Sequence, residues 1–139
     1  MTRMTVSPQL RRLVTARANS RCEYCLLPEG DSTIKHAVDH IRAIKHNGLT
    51  EEGNLALACI VCNQNKGSDI ATIDPESRQL VRLFNPRSDI WGEHFALDGA
   101  VIVGLTGVGR GTAEILKLNT PTRVKHRALL QSTNRYPKH

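Results

Sequence analysis

The sequence has few aromatic residues and no long apolar run. Its only aromatic side chains besides histidine are Tyr24, Phe84, Trp91, Phe95 and Tyr136, so recognition of nucleic-acid bases by stacking is not expected. No stretch approaches the roughly 18 apolar residues that a membrane-spanning helix needs. The N-terminal residues also lack the apolar run of a signal peptide. We therefore expect a cytoplasmic protein without a membrane partner.

Acidic residues are absent from both ends of the chain. Residues 1–21 carry five arginines and residues 117–139 carry six lysines and arginines, neither with an acid. The segment 22–116 has eight basic and thirteen acidic residues, a net charge of −5 in a chain whose net charge is +6. Such a charge pattern is typical of a protein that binds phosphates with its basic end segments and cations with the acidic segment between them. The pattern favours DNA as the partner; coincidental clustering of solvated charges is the alternative.

Chain length and apolar periodicity predict the first half of the architecture. The 139 residues fall within the range of one domain, which we expect to span 1–139. Ser7-Pro8 is a typical helix start. Short apolar runs at 37–41 and 54–59, followed by a helical stretch at 61–67, predict a β-β-α unit.

Turn residues predict the second half. Asp74–Ser77 and Asp98-Gly99 each separate two short apolar runs and predict two hairpins, 70–73 with 79–84 and 93–97 with 100–105. Helices are predicted over about 112–118 and, after Thr120-Pro121, over 124–131. The expected fold is α+β, with an N-terminal helix, a core at about 20–67 and a β-rich C-terminal extension at about 70–139 that ends in helices.

The four cysteines form two Cys-x2-Cys pairs, Cys22 with Cys25 and Cys59 with Cys62. Two such pairs supply the tetrahedral four-sulfur set of a structural zinc ion. Two disulfides are the alternative, which a reducing compartment disfavours. A closed four-cysteine site leaves no thiolate free for redox or nucleophilic chemistry. We predict one structural Zn²⁺.

A second group of residues accompanies the cysteine pairs: Asp39-His40, Asn54, Asn63 directly after Cys62, and Lys66-Gly67. In order and spacing, the combined pattern resembles the HNH endonuclease family in its zinc-stapled form, over roughly residues 20–67. The resemblance implies a ββα-metal (His-Me finger) core that hydrolyses DNA phosphodiester bonds by nicking or double-strand cleavage. Many members have histidine where this chain has Asn63, and the asparagine variant is also known in the family.

The resemblance and the chemistry assign a role to each residue. Neutral His40 is the predicted general base, because an imidazole with a pKa near 6.5 suits proton abstraction at cellular pH. Asp39 and Asn63 offer carboxylate and amide oxygens, which suit a hard catalytic ion such as Mg²⁺ or Mn²⁺. The resemblance implies that Asn54 ties the loop between the strands and sets the pose of the base. Because strand neighbours point to opposite faces, we expect a bulge or a strand end at Asp39-His40.

Two further cations are candidate phosphate contacts, Lys66 and Arg110. For Lys66, stabilisation of a helix end is the equal alternative. A run of glycines precedes the predicted helix at about 112: Gly104, Gly107, Gly109 and Gly111. It lacks the Lys-Ser/Thr of a P-loop and the acid of a dinucleotide fold, so we expect a glycine-rich turn and no small-molecule cofactor.

Two other functions are compatible with the sequence. A zinc-bound module could bind nucleic acid without cutting it, and cleavage of plasmid DNA with added Mg²⁺ or Mn²⁺ separates this alternative from an endonuclease. A protein-interaction domain could use the zinc only for stability, and salt-sensitive DNA binding would be absent there. The sequence makes no prediction of oligomeric state.

Overall fold

The computed structural model describes residues 5–30 and 34–138. The chain groups into two compact units, Met1–Ile70 with Asn85–Ser88, and Ala71–Phe84 with Asp89–His139. In the described residues, three two-stranded antiparallel sheets accompany five α-helices, so the predicted α+β class is confirmed. The assignment of 1–139 to one domain stays a prediction.

The first unit contains two helices and one sheet. Its elements are α1 (Pro8–Arg17), β1 (Ala37–His40), β2 (Leu55–Ala58) and α2 (Ile60–Lys66). Strand β1 pairs with β2, and α2 follows β2 directly, in the order that the sequence predicts. Two single 3-10 turns, Ile44–His46 and Glu52–Asn54, lie in the connection between the strands.

Helix α1 covers the sheet of the first unit. It starts as predicted, because the Ser7 hydroxyl accepts a hydrogen bond from the Leu10 amide and Pro8 needs no hydrogen-bonding partner in the first turn. Its apolar stripe places Val14 against Leu55 and Leu57 of β2, and all three side chains are fully buried. This packing holds the strand that leads into the second cysteine pair.

The β1–β2 ladder ends at the predicted metal and base residues. Pairing runs one to one from Ala37 opposite Ala58 to His40 opposite Leu55, so no bulge interrupts it. Strand β1 stops at His40. A bulge or a strand end was expected at Asp39-His40, and the structure has the strand end.

The second unit consists of two hairpins and three helices: β3 (Ala71–Ile73), β4 (Leu80–Arg82), α3 (Trp91–His94), β5 (Phe95–Asp98), β6 (Val101–Gly104), α4 (Gly107–Ile115) and α5 (Pro121–Ser132). Both hairpins pair antiparallel as predicted. Its core includes Phe84 and Phe95, whose rings meet edge to face with centroids 5.3 Å apart. No helix in the described residues is long and apolar enough to span a membrane.

Two predicted boundaries in the second unit were wrong. Residues 93 and 94 belong to α3 rather than to the strand, and α4 begins at Gly107 rather than near Thr112. The Thr106 hydroxyl caps α4 by accepting from the Gly109 amide. A side chain at Gly109 would overlap the carbonyl oxygen of His94. Close packing, which a local pattern does not reveal, therefore accounts for glycine in the first turn of this helix.

Candidate functional site

Four cysteine thiols meet inside the first unit. Cys22, Cys25, Cys59 and Cys62 are all buried, and their Sγ atoms lie within 4.8 Å of one another. None of the four forms a disulfide. The two pairs, far apart in sequence, meet because β2 delivers the second pair to the first.

The geometry of the thiols fits zinc. Sulfurs bonded at about 2.3 Å to a tetrahedral zinc ion lie about 3.8 Å apart, and Cys25 Sγ lies 3.7 Å from Cys59 Sγ. The amides of Cys25 and Cys62 donate to the sulfurs of Cys22 and Cys59, both at 3.4 Å. Donation from the neighbouring thiols, that of Cys22 first, lowers the pKa of Cys59, so the cluster stabilises a thiolate there. The cluster therefore supports the predicted zinc site.

The carboxylate of Asp39 is buried and is linked to the first cysteine turn through Tyr24. Asp39 is only 4% exposed. Its Oδ2 accepts a hydrogen bond of 2.7 Å from the Tyr24 hydroxyl. Burial raises the pKa of the Asp39 carboxyl, against the lowering effects of Lys66 and Tyr24. The neighbours of Asp39 therefore favour its ionised form, which burial disfavours.

The ammonium group of Lys66 is the cation that faces Asp39. Lys66 is 1% exposed, and its Nζ lies 3.3 Å and 3.2 Å from the two carboxylate oxygens of Asp39. It also donates to the carbonyl oxygens of His40 and Ile41, at 3.1 Å and 3.0 Å. The three protons of the ammonium are thereby engaged. This burial does not support the predicted contact of Lys66 with phosphate.

His40 lies at the end of β1 and is partly exposed. Its Nε2 is 2.8 Å from the Thr50 hydroxyl, which fixes the ring. Partial burial lowers the pKa of His40, Asp39 raises it and Lys66 lowers it. The lowered pKa favours the neutral imidazole at cellular pH, which is the form that a general base requires.

Asn54 ties the connection between the strands. Its Oδ1 accepts from the Arg42 amide at 2.9 Å, and its Nδ2 donates to the carbonyl oxygens of Arg42 and Leu49 at 3.0 Å and 2.8 Å. Gly48 allows this close approach, because a Cβ there would overlap the Arg42 carbonyl. The amide therefore holds the loop that follows His40; its effect on the pose of the base stays a prediction.

Asn63 lies in the first turn of α2, directly after Cys62. It is half-buried, and its side-chain amide forms no hydrogen bond with the described residues. The start of α2 is fixed by the cysteine cluster, because the Cys59 sulfur caps the helix. An amide oxygen in this position remains available to a ligand.

The predicted phosphate contact Arg110 is engaged within the second unit. Its guanidinium donates two hydrogen bonds to the carboxylate of buried Asp74, at 3.0 Å and 2.8 Å. Arg110 holds the pKa of that carboxyl well below its usual range. The side chain is 26% exposed. Its structural role is therefore to pair with Asp74, and the geometry does not single it out for DNA.

Several arginines of the basic ends bind backbone carbonyls. Arg17 donates to the carbonyl oxygens of Glu52 and Leu55, and buried Arg127 donates to those of Ala100 and Leu118. Such contacts tie elements together and reduce the number of cations left for phosphates. Arg3 and His139 lie outside the described residues.

Tyr24 is the site residue that the sequence analysis missed. It stands between the first two cysteines, is 1% exposed and reaches the Asp39 carboxylate. Burial, and then the charge of Asp39, raises the pKa of Tyr24 well above its ordinary value, so its hydroxyl is a donor. The sequence signal covers only half of this role: a tyrosine inside a Cys-x2-Cys turn lies near the cysteine cluster, but its bond to Asp39 depends on the tertiary fold.

Comparison with known proteins supports the resemblance. Residues 22–69 match the family model of the HNH endonuclease. The predicted family resemblance is confirmed over this segment, which contains all four cysteines together with Asp39, His40, Asn54, Asn63 and Lys66. No curated protein and no solved structure matches the chain.

Proposed function

We propose that this chain is a metal-dependent DNA endonuclease that hydrolyses phosphodiester bonds. One observation carries the proposal: a partly exposed imidazole and a buried carboxylate adjoin at the end of β1, beside the four-thiol cluster, within the segment that matches the HNH endonuclease model. The pairing of a buried carboxylate with a neighbouring imidazole is the feature that favours an endonuclease over a zinc module that only binds DNA.

In the proposed reaction, His40 accepts the proton of the attacking water. The hydrogen bond to Thr50 fixes one ring nitrogen, and the lowered pKa of His40 keeps the ring neutral at cellular pH. Asn54 maintains the loop that brings Thr50 to His40 at the end of β1. The imidazole of His40 is therefore held in one pose.

Asp39 and Asn63 would hold the catalytic ion. The donor set is a carboxylate and an amide oxygen, which fits Mg²⁺ or Mn²⁺ better than softer ions. When bound, such an ion offsets the charge that develops on the phosphoryl oxygens and the leaving group. The Lys66 ammonium lowers the pKa of the Asp39 carboxyl, against the raising effect of its burial, and so favours the ionised form.

The four-thiol cluster would carry a structural zinc ion, separate from the catalytic ion. It fixes the start of α2 and hence Asn63, because Cys59 caps that helix. The exposed cations of the basic ends would bind DNA phosphates without regard to sequence.

The test is plasmid nicking by the purified protein with Mg²⁺ or Mn²⁺. His40→Ala should reduce nicking by roughly 10²–10⁴-fold, the usual contribution of general acid–base catalysis. Zinc content, melting temperature and DNA affinity should stay close to those of the wild type, because the side chain is partly exposed and, among the described residues, bonds only to Thr50.

His46→Ala is a matched control, since His46 lies in the connection that follows His40 and is likewise partly exposed. Nicking by the His40→Ala protein at the wild-type rate would exclude His40 as the base. DNA binding without any nicking by the wild type, across a metal series, would instead favour the non-catalytic module.

A further inference from the structure

Tyr24 joins the thiol cluster to the buried carboxylate. Its hydroxyl donates to Asp39 Oδ2 at 2.7 Å, the shortest of the contacts made by that carboxylate with Tyr24 and Lys66. The tyrosine is 1% exposed, so water does not compete for this bond. A single hydroxyl thus links two parts of the site that serve different purposes.

The turn around Tyr24 is held from both sides. Cys22 precedes it by two residues and Cys25 follows it, so the thiol cluster brackets the tyrosine. Glu23 fastens the turn to β2, because its amide donates to the Leu57 carbonyl at 2.8 Å and its carboxylate accepts from the Leu57 amide at 2.9 Å. The ring of Tyr24 therefore has little freedom to move away from Asp39.

Tyr24 makes the two oxygens of Asp39 unequal. Lys66 Nζ lies at nearly the same distance from both, 3.3 Å from Oδ1 and 3.2 Å from Oδ2. The shorter bond from Tyr24 falls on Oδ2 alone. Oδ1 accepts only the longer hydrogen bond from Lys66 among these partners, so one of its lone pairs is left for a cation.

We propose that Tyr24 is a positioning residue for the catalytic ion: its hydroxyl fixes Asp39 Oδ2 and so presents Oδ1 to a divalent cation. This inference rests on the proposed function, in which Asp39 is a ligand of that ion. The zinc cluster then acts on the catalytic ion through one hydrogen bond, by holding the turn that carries the tyrosine. Without the hydroxyl, the carboxylate of Asp39 loses its shorter bond and is free to rotate out of this pose.

The test is Tyr24→Phe, which removes only the hydroxyl. Mn²⁺ binding to the zinc-loaded full chain is measured by electron paramagnetic resonance, with Asp39→Asn as the reference for loss of the ligand. Tyr24→Phe should weaken Mn²⁺ binding by about 10- to 100-fold, the usual effect of removing a residue that orients a metal ligand. Zinc content should not change, because the phenylalanine keeps the packing of the turn.

Tyr136→Phe is the matched control, since Tyr136 is the other buried tyrosine and belongs to the second unit. It should leave Mn²⁺ binding unchanged. Nicking provides a second measurement: the Tyr24→Phe protein should need more Mn²⁺ for half-maximal rate but approach the wild-type rate at saturation. A merely structural loss would lower the maximal rate instead.

The outcomes separate the two proposals. If the wild type binds Mn²⁺ through Asp39 and nicks DNA, but Tyr24→Phe binds Mn²⁺ like the wild type, the role of Tyr24 is wrong and the proposed function stands. If Asp39→Asn binds Mn²⁺ as tightly as the wild type, Asp39 is not a ligand, and both proposals are wrong at this residue.

Discussion

Lys66 and Asp39 form an ion pair with almost no access to water, since the side chains are 1% and 4% exposed. Removing one partner of such a pair leaves an uncompensated buried charge and typically costs about 3–5 kcal/mol. We expect Lys66→Met to lower the free energy of unfolding by about that amount, measured by urea denaturation of the zinc-loaded protein. Lys45→Met, on an exposed lysine of the same unit, should change it little.

The cause of that loss can be separated from loss of packing. Adding Asp39→Asn to Lys66→Met removes the unpaired charge while keeping the size of the side chain, so the double variant should recover part of the stability. If Lys66→Met is as stable as the wild type, or if the double variant is less stable than Lys66→Met, the buried charge is not what Lys66 compensates.

The site residues that could be predicted are those whose roles follow from their order and spacing along the sequence. The cysteine pairs were recognisable because each pair closes its own turn, and Asn54 because its family pattern fixes its place before β2. For Lys66 the sequence left two roles open, because helix position alone does not distinguish an exposed lysine from one that is buried and pairs with Asp39. Tyr24 was missed because its partner, Asp39, is brought to it only by the tertiary fold.

Glycines in the second unit mark the places where elements approach closely. A Cβ at Gly109 in α4 would overlap the backbone carbonyl of His94, which cannot rotate away. Overpacking of this kind costs about 1–3 kcal/mol or more. Gly109→Ala should therefore lower the melting temperature of the protein, measured by calorimetry, even though alanine favours a helix.

Gly92→Ala in α3 provides the comparison, because no atom of the described residues lies within 4 Å of a Cβ placed there. It should be neutral or stabilise the protein by about 0.4–1 kcal/mol through the unfolded chain. Equal effects of the two substitutions would mean that the close approach of α4 to His94 does not matter for stability.

At the level of elements, the sequence predicted both hairpins and the starts of α1 and α5, because caps and turns act over a few residues. The side chains of Ser7 and Thr120 each accept a hydrogen bond from the amide three residues later in the chain. Each of these residues is followed by a proline, which begins the helix. The start of α4 was misplaced because glycine is a poor helix former, and only packing against His94 explains its use. Local patterns do not contain that contact.

The charge of the whole molecule overstates its capacity to bind DNA. The chain carries a net charge of +6. However, the guanidinium of buried Arg127 on α5 donates hydrogen bonds to the Ala100 and Leu118 carbonyls and to Asn119. Lys125, two residues away on the same helix, is exposed. The basic C-terminal segment therefore contains both cations that hold the fold and cations that are available to phosphates.

We therefore expect two neutralising substitutions to affect different properties: Lys125→Gln should affect DNA binding, and Arg127→Gln should affect stability. Lys125→Gln should weaken DNA binding and reduce the steepness of its salt dependence by about 0.9 in a plot of log affinity against log salt, the value for one phosphate contact. Its melting temperature should equal that of the wild type. Arg127→Gln should instead destabilise the protein by roughly 1–3 kcal/mol for each acceptor left buried and unpaired, with an unchanged salt slope in the fraction that remains folded.

The measurement is fluorescence anisotropy with a short DNA duplex at several salt concentrations, beside thermal denaturation of both variants. An unchanged slope for Lys125→Gln would mean that this lysine does not meet a phosphate, and a reduced slope for folded Arg127→Gln would mean that the buried guanidinium is exposed to DNA on binding.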